Sequence, residues 1–122
     1  MKRKKVLILD DEKQVQAVYS RILSRKFDLD IDLAGTAEDA LELASKNDYD
    51  LIITDLMLPG VDGMEFAGKV KEMKPRSGIL MITAYDTPEN REAAFEKGVA
   101  AFLGKPVDIN TLRNTAASIL KN

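Results

Sequence analysis

Five residues of this 122-residue chain have the right type and place for chemistry: Asp10, Asp11, Asp55, Thr83 and Lys105. Each lies at or just beyond the carboxyl end of a short apolar run, so all five fall on one rim if the runs form a parallel sheet. Three carboxylates and one ammonium would then share a cleft. Carboxylates brought that close repel one another and resist full ionisation unless a hard divalent cation screens them. Mg²⁺ suits oxygen donors and keeps several of its waters. A metal on one side and Lys105 on the other leave room for a phosphoryl group, whose equatorial oxygens need positive charge as the transition state develops. Thr83 offers that group a hydroxyl donor, and Asp55 is placed as the nucleophile of an aspartyl phosphate. The sequence contains neither His nor Cys, so a phosphoryl acceptor must be a carboxylate or a hydroxyl, and thiolate metal sites and disulfides are excluded.

The elements that must hold these groups follow from apolar periodicity. Leu51-Ile52-Ile53 reads as a strand buried on both faces that stops at Asp55, after which Pro59-Gly60 sets a turn and Asp62-Gly63 opens a helix. Residues 5–10 repeat the pattern of an aliphatic strand ending in an acid. Val15, Val18, Tyr19, Ile22 and Leu23 recur at helical spacing between Glu12 and Arg25. Leu29, Ile31 and Leu33 alternate with Asp30 and Asp32, as in an edge-like strand. Thr36 caps a helix with Ala37, Ala40, Leu41 and Ala44 inside, and Asp39 stands at capping-box spacing. Phe66, Ala67, Val70 and Met73 form a third helical stripe that Pro75 stops. Residues 78–83 give a fourth strand. Thr87-Pro88 and Gly98 bracket a helix whose one large apolar residue is Phe95, which makes it the least firmly anchored. Residues 100–103 give a fifth strand, and Asp108 caps a last helix with Ile109, Leu112, Ala116, Ile119 and Leu120 inside. Five strands alternating with five helices imply a single α/β domain over residues 1–122, a doubly wound parallel sheet.

Composition narrows the function classes. Net charge is −2, from 18 Lys and Arg against 20 Asp and Glu, so no basic field argues for nucleic acid or an anionic membrane. The lead Lys2-Arg3-Lys4-Lys5 reads as a solvated approach to the first strand: the apolar run behind it is too short for a signal peptide. No stretch reaches the length of a membrane span, and the expected compartment is the cytoplasm.

These residues together resemble the receiver domain of two-component response regulators. The resemblance spans essentially the whole chain. It is carried by Asp10-Asp11, the block Asp55-Leu-Met-Leu-Pro-Gly-Val-Asp-Gly63, the pair Thr83-Ala84, and Lys105-Pro106. It implies the flavodoxin-like strand order 2-1-3-4-5. By match of position, Asp55 corresponds to the phosphoacceptor, Asp11 and the Met57 carbonyl to direct Mg²⁺ ligands, and Asp10 to an acid acting through water. Lys105 corresponds to the site lysine, Thr83 to the switch hydroxyl, and Phe102 to an aromatic switch three residues before that lysine. The Lys105-Pro106 bond would be cis. Leu58 stands where many receivers carry Met. Ala100-Ala101 departs from the acidic pair of one large subclass of DNA-binding regulators and puts that subclass's dimer mode in doubt.

The implied function is a signalling switch. A sensor histidine kinase or phosphotransfer protein donates a phosphoryl group to Asp55, and a downstream partner, effector domain or homodimer is engaged through residues 87–120, without direct contact to nucleic acid or membrane. Thr83, drawn toward the phosphoryl group, vacates space beside the fourth strand. Phe102 rotates into it, and the helix held mainly by Ala93, Ala94 and Phe95 moves. Such a domain promotes its own phosphorylation and dephosphorylation without being an enzyme acting on a separate substrate. Two other readings compete. A haloacid-dehalogenase-like phosphatase also uses a strand-end Asp with Mg²⁺, but expects a second Asp where Met57 stands, and a cap domain. A degenerate receiver serving only as a docking module would lack one of the five rim residues, and none is missing.

Overall fold

A computed structural model describes residues 3–121. In chain order the elements are β1 (Lys4–Leu9), α1 (Lys13–Ser24), β2 (Leu29–Ala34), α2 (Ala37–Lys46), β3 (Leu51–Thr54), β4 (Met57–Leu58), β5 (Val61–Asp62), α3 (Gly63–Met73), β6 (Gly78–Thr83), α4 (Pro88–Glu96), β7 (Ala101–Gly104) and α5 (Ile109–Leu120). Five strands form one parallel sheet in the order β2-β1-β3-β6-β7. Counting only those strands, this is the expected order 2-1-3-4-5. The order reverses between β1 and β3, and such a switch point opens a crevice at the carboxyl ends of the strands.

Side-chain alternation along the strands splits the core into two layers. Val6, Ile8, Leu51, Ile53, Leu80 and Ile82 face Tyr19 and Leu23 of α1 and Leu112, Ala116 and Leu120 of α5. Leu7, Leu9, Ile52, Ile79, Met81 and Phe102 face the other way, onto Ala40 and Ala44 of α2, Phe66 and Val70 of α3 and Ala94 of α4. The continuous apolar runs of β1, β3 and β6 are therefore required, since both faces of these strands are covered.

The helix boundaries follow local chemistry. Thr36, Asp62, Thr87 and Asp108 each accept a backbone N–H of the first turn as N-cap. Pro88 opens α4, and Gly98, with φ 92°, lies just beyond its C-cap. The Lys105–Pro106 bond is cis.

Several expectations need correction. Val18, Leu33, Met73, Phe95 and Ile109 are exposed rather than inside. Each sits at the margin of an apolar stripe or the end of an element, where periodicity gives the spacing but not the edge of the buried arc. Segment 57–62, expected as a turn, is a two-stranded antiparallel hairpin closed by Pro59-Gly60, with Gly60 at φ 73°. The basic lead is not only an approach to the sheet, because Lys4 and Lys5 belong to β1. Lys5 Nζ donates to Asn47 Oδ1 (2.8 Å), and Arg3 Nη2 to the Leu29 carbonyl (2.8 Å). Met1 and Lys2 lie outside the described residues.

Gly63 joins the hairpin to α3 at a point where backbone meets backbone. A Cβ there would contact the Asp55 carbonyl and lie 2.7 Å from the Leu56 carbonyl and 2.8 Å from Leu56 Cα. Gly63→Ala is therefore expected to destabilise the fold by about 1–3 kcal/mol, as overpacking does. A urea midpoint equal to wild type, at unchanged slope, would contradict this packing.

Candidate functional site

The carboxyl ends of β1, β3, β6 and β7 bring Asp10, Asp55, Thr83 and Lys105 to one rim. Lys105 Nζ donates to Asp55 Oδ2 at 2.8 Å and lies 3.7 Å from Asp10 Oδ2. One ammonium thus spans two acids from different strands. The other Asp55 oxygen accepts the Met57 backbone N–H (3.1 Å), so the carboxylate is oriented from both sides. Lys105 is itself held by its strand, since its N–H donates to the Thr83 carbonyl at 2.8 Å.

Asp10 is 4% exposed. Burial raises its pKa above the ordinary carboxylate value, and the charges of Asp11 and Asp55 add to this. The Glu12 N–H, at 2.9 Å from Asp10 Oδ1, and the Lys105 ammonium oppose the rise without cancelling it. Burial disfavours the Lys105 ammonium, but the hydrogen bond and charge of Asp55, with the charge of Asp10, outweigh that and raise its pKa. Asp10 thus keeps an uncompensated burial penalty, while the lysine is held in its cationic form.

Asp11 is exposed on the loop after β1 and makes no such bridge. Among the described residues, no group of three or more acidic side chains is gathered closely enough to hold a metal ion. The structure therefore brings Asp10, Asp55 and Lys105 together and leaves Asp11 at the margin. The donor chemistry still fits a hard cation: the oxygens are carboxylates, and Asp10 carries an unrelieved burial penalty.

Thr83 is fully buried at the end of β6, and its hydroxyl accepts the Tyr85 N–H at 3.2 Å. By strand alternation it points to the same face of the sheet as Met81 and Phe102. The Phe102 ring is 2% exposed, so it already occupies the interior, and the expected inward rotation has no outward starting point in this structure. Met57 and Tyr85 are both exposed and line one groove of about 480 Å³ with Leu56, Val61, Met64 and Asn90.

Three contributors escaped the sequence reading. Gln16 is buried, and its Nε2 donates to the Asp10 carbonyl (2.7 Å) and the Ala34 carbonyl (2.9 Å), tying α1 to the loop that carries the acids. Its signal was a polar residue next to Val15 on the inward arc of a helix. Tyr19, read as core, lies near enough to Lys105, Asp10 and Asp55 to feel their charges. Arg91 bonds across from α4 to β7, and nothing in its local sequence marks it.

Residues 6–117 match the response regulator receiver domain family. The response regulator protein PilR of Pseudomonas aeruginosa is 34% identical over 121 residues, covering 99% of this chain and 27% of PilR. The transcriptional regulatory protein SrrA of Staphylococcus aureus is 38% identical over 101 residues, covering 83% of this chain and 41% of SrrA. The chain thus spans well under half the length of these curated relatives. A crystal structure of a CheY-like receiver domain protein from Methanospirillum hungatei superposes with TM-score 0.93 at 26% identity, covering 98% of this chain and 95% of that one. None of these matches favours the phosphatase or the docking-only reading. With the rim and all of the sheet but Lys4 and Lys5 inside the matched span, this chain belongs to the receiver domain family of two-component response regulators.

Proposed function

We propose that this receiver accepts a phosphoryl group on Asp55 from a histidine kinase or phosphotransfer protein and thereby changes what its α4-β7-α5 face binds. What supports the reading above all is the Lys105 ammonium shared between Asp55 and Asp10 at the switch point of the sheet. A carboxylate oxygen of Asp55 attacks phosphorus, and the bond from phosphorus to the donor's nitrogen or acyl oxygen breaks. Lys105 neutralises the charge gathering on the equatorial oxygens, and the Thr83 hydroxyl, which accepts the Tyr85 N–H, has its own O–H to donate to one of them. Asp10, Asp11, Asp55 and the Met57 carbonyl would hold Mg²⁺, which supplies the remaining positive charge. The chain's own contribution is the positioning of the carboxylate and the promotion of its phosphorylation and hydrolysis, without a separate substrate turned over.

The downstream partner is a protein or effector domain, or a second copy of the chain, contacting residues 87–120. Residues 100 and 101 are both Ala in place of the acidic pair of one large subclass of DNA-binding regulators, which argues against that subclass's dimer mode here. Among the described residues no helix is long and apolar enough to cross a membrane, which is compatible with the proposed cytoplasmic location.

Incubation with a small acyl phosphate and Mg²⁺ should add one phosphoryl mass to the chain, on Asp55 alone. Asp55→Asn should abolish the adduct, and Lys105→Ala should retain some adduct while weakening its effect on conformation. A mass shift that survives Asp55→Asn would sink the assignment.

Mg²⁺ should raise the melting temperature, because it binds the folded acids and relieves repulsion that an unfolded chain relaxes by separation. At about one hundred times its Kd the gain is roughly 2.7 kcal/mol. Asp11→Asn should reduce it. The folded-state pKa of Asp10 is raised, so its burden on the fold is present above that pKa and disappears as pH falls through it; protons then replace the metal, and the Mg²⁺ gain should shrink toward acid. A melting temperature insensitive to millimolar Mg²⁺ at neutral pH would argue against the site.

The phosphorylated form should hydrolyse slowly. Met57 and Tyr85 flank the groove beside Asp55, both are bulky, and neither carries a carboxylate or amide to orient water. Met57→Asn combined with Tyr85→Glu should shorten the lifetime of the acyl phosphate, followed by loss of the mass adduct with time. An equal or longer lifetime would mean that these side chains do not control water access.

A further inference from the structure

Helix α4 buries only Ala94, and its one large apolar side chain, Phe95, is 45% exposed. Apolar contact therefore does little to fix where this helix sits, and a polar device at its first turn does more. Helical side chains lean toward the N-terminus. That lean carries Arg91 back toward Asp86, in the loop that follows Thr83, and across to β7. Arg91 Nη2 pairs with Asp86 Oδ1 at 3.0 Å, Arg91 Nη1 donates to the Phe102 carbonyl at 3.1 Å, and the guanidinium carbon lies 5.1 Å from the centre of the Phe102 ring. The other Asp86 oxygen rests against Gly104, where a Cβ would come within 2.7 Å of it. The loop is pinned a second time by Asn90 Nδ2, which donates to the Tyr85 carbonyl at 3.0 Å.

We propose that Arg91 is a positioning residue for the switch: its guanidinium clamps the loop after Thr83 to the strand carrying Phe102 and keeps the aromatic ring inside before any phosphoryl group arrives. The half-exposed ion pair with Asp86 would contribute little alone. The planar guanidinium does three things at once: it pairs with a carboxylate, bonds the Phe102 carbonyl, and lies over the Phe102 ring. The arrangement also explains Gly104, because any side chain there would displace Asp86. Tyr85, whose N–H is held by the Thr83 hydroxyl, is next to Asp86 in the chain, so a displacement of Thr83 pulls on the clamp directly. The role in signalling rests on Asp55 being the phosphoacceptor; the clamp itself does not, and it is testable in unmodified protein.

The test is NMR on the full chain, labelled on Phe ring carbons and backbone amides, without a phosphoryl donor. Wild type should show strong NOEs from the Phe102 ring to the buried methyls of its core layer. Arg91→Ala should lose most of that intensity and shift the amides of residues 84–87 and 101–104, while the amides of β1 and β3 stay in place. Arg91→Lys keeps a charge for Asp86 but lacks the fork and the flat face, so it should leave the ring released as Ala does. Gly104→Ala should shift the amides of residues 85–91 by dislodging Asp86. Wild-type ring NOEs in Arg91→Ala, or full retention by Arg91→Lys, would overturn the proposal. Should Arg91→Ala not fold, Asp86→Asn reads the same quantity without touching the helix: unmoved amides at 84–87 and 101–104 would count against the clamp, and shifted ones for it. Adding beryllofluoride separates the two claims: a released ring in Arg91→Ala with no beryllofluoride response in wild type would leave the clamp standing and remove the phosphoacceptor reading.

Discussion

The contact on which the site depends is the 2.8 Å hydrogen bond from Lys105 Nζ to Asp55 Oδ2, with Asp10 Oδ2 3.7 Å from the same ammonium. It joins the ends of the neighbouring strands β1 and β3 to that of β7, which lies beyond β6 in the sheet. Burial raises the pKa of Asp10, the charges of Asp11 and Asp55 add to the rise, and one ammonium does not offset it, so the site is left with a deficit of positive charge. Such a deficit is a poor way to stabilise a protein, because replacing charged groups by packed apolar ones is often neutral or better. The arrangement makes sense as a receptor for further positive charge on one side and for a phosphoryl group on the other. The rigid part of the molecule exists to hold that deficit in place. β1, β3 and β6 are covered on both faces, so the strand ends carrying Asp10, Asp55 and Thr83 cannot relax apart without opening both core layers.

What could be read from the sequence was whatever is decided locally. Aliphatic runs ending in acids mark strands at a rim, because a strand buried on both faces must be apolar throughout and can end in a charge only where solvent begins. Thr36, Asp62, Thr87 and Asp108 mark helix starts because capping involves neighbours within three residues. Other features are set by tertiary contact. The exposure of Val18, Met73, Phe95 and Ile109 depends on how wide an arc of each helix the sheet covers. The β4-β5 hairpin has strands of two residues, too short for any alternation to register. Gln16 and Arg91 act through carbonyl groups supplied by other elements, which no local pattern announces.

The site residues divide in the same way. Asp55, Lys105 and Asp10 were legible because charge gathered at strand ends needs a reason, and the topology brings those ends together. Asp11 was equally visible, yet the structure leaves it exposed and outside the Lys105 bridge, since adjacent residues at the end of a strand leave it in different directions. Phe102 stands three residues before Lys105 in the sequence, but that its ring is buried, with the Arg91 guanidinium carbon 5.1 Å from its centre, depends on tertiary neighbours that no spacing announces.

Mobility is distributed accordingly. On the α1 and α5 face, Tyr19, Leu23, Leu112, Ala116 and Leu120 fill the layer beneath the sheet, so these helices move only at the cost of apolar contact. On the opposite face, α2 and α3 contribute Ala37, Ala40, Ala44, Phe66, Ala67 and Val70, whereas α4 contributes Ala94 alone. The weak end of that layer lies against β7, the strand whose far end bears Lys105. Beside it lies the helix of that face held by the Arg91 hydrogen bond and ion pair more than by burial. Polar contacts of that kind can be exchanged for others at nearly constant free energy, while buried methyl groups cannot, so a switch built on this sheet has its movable part at α4 and its fixed part everywhere else.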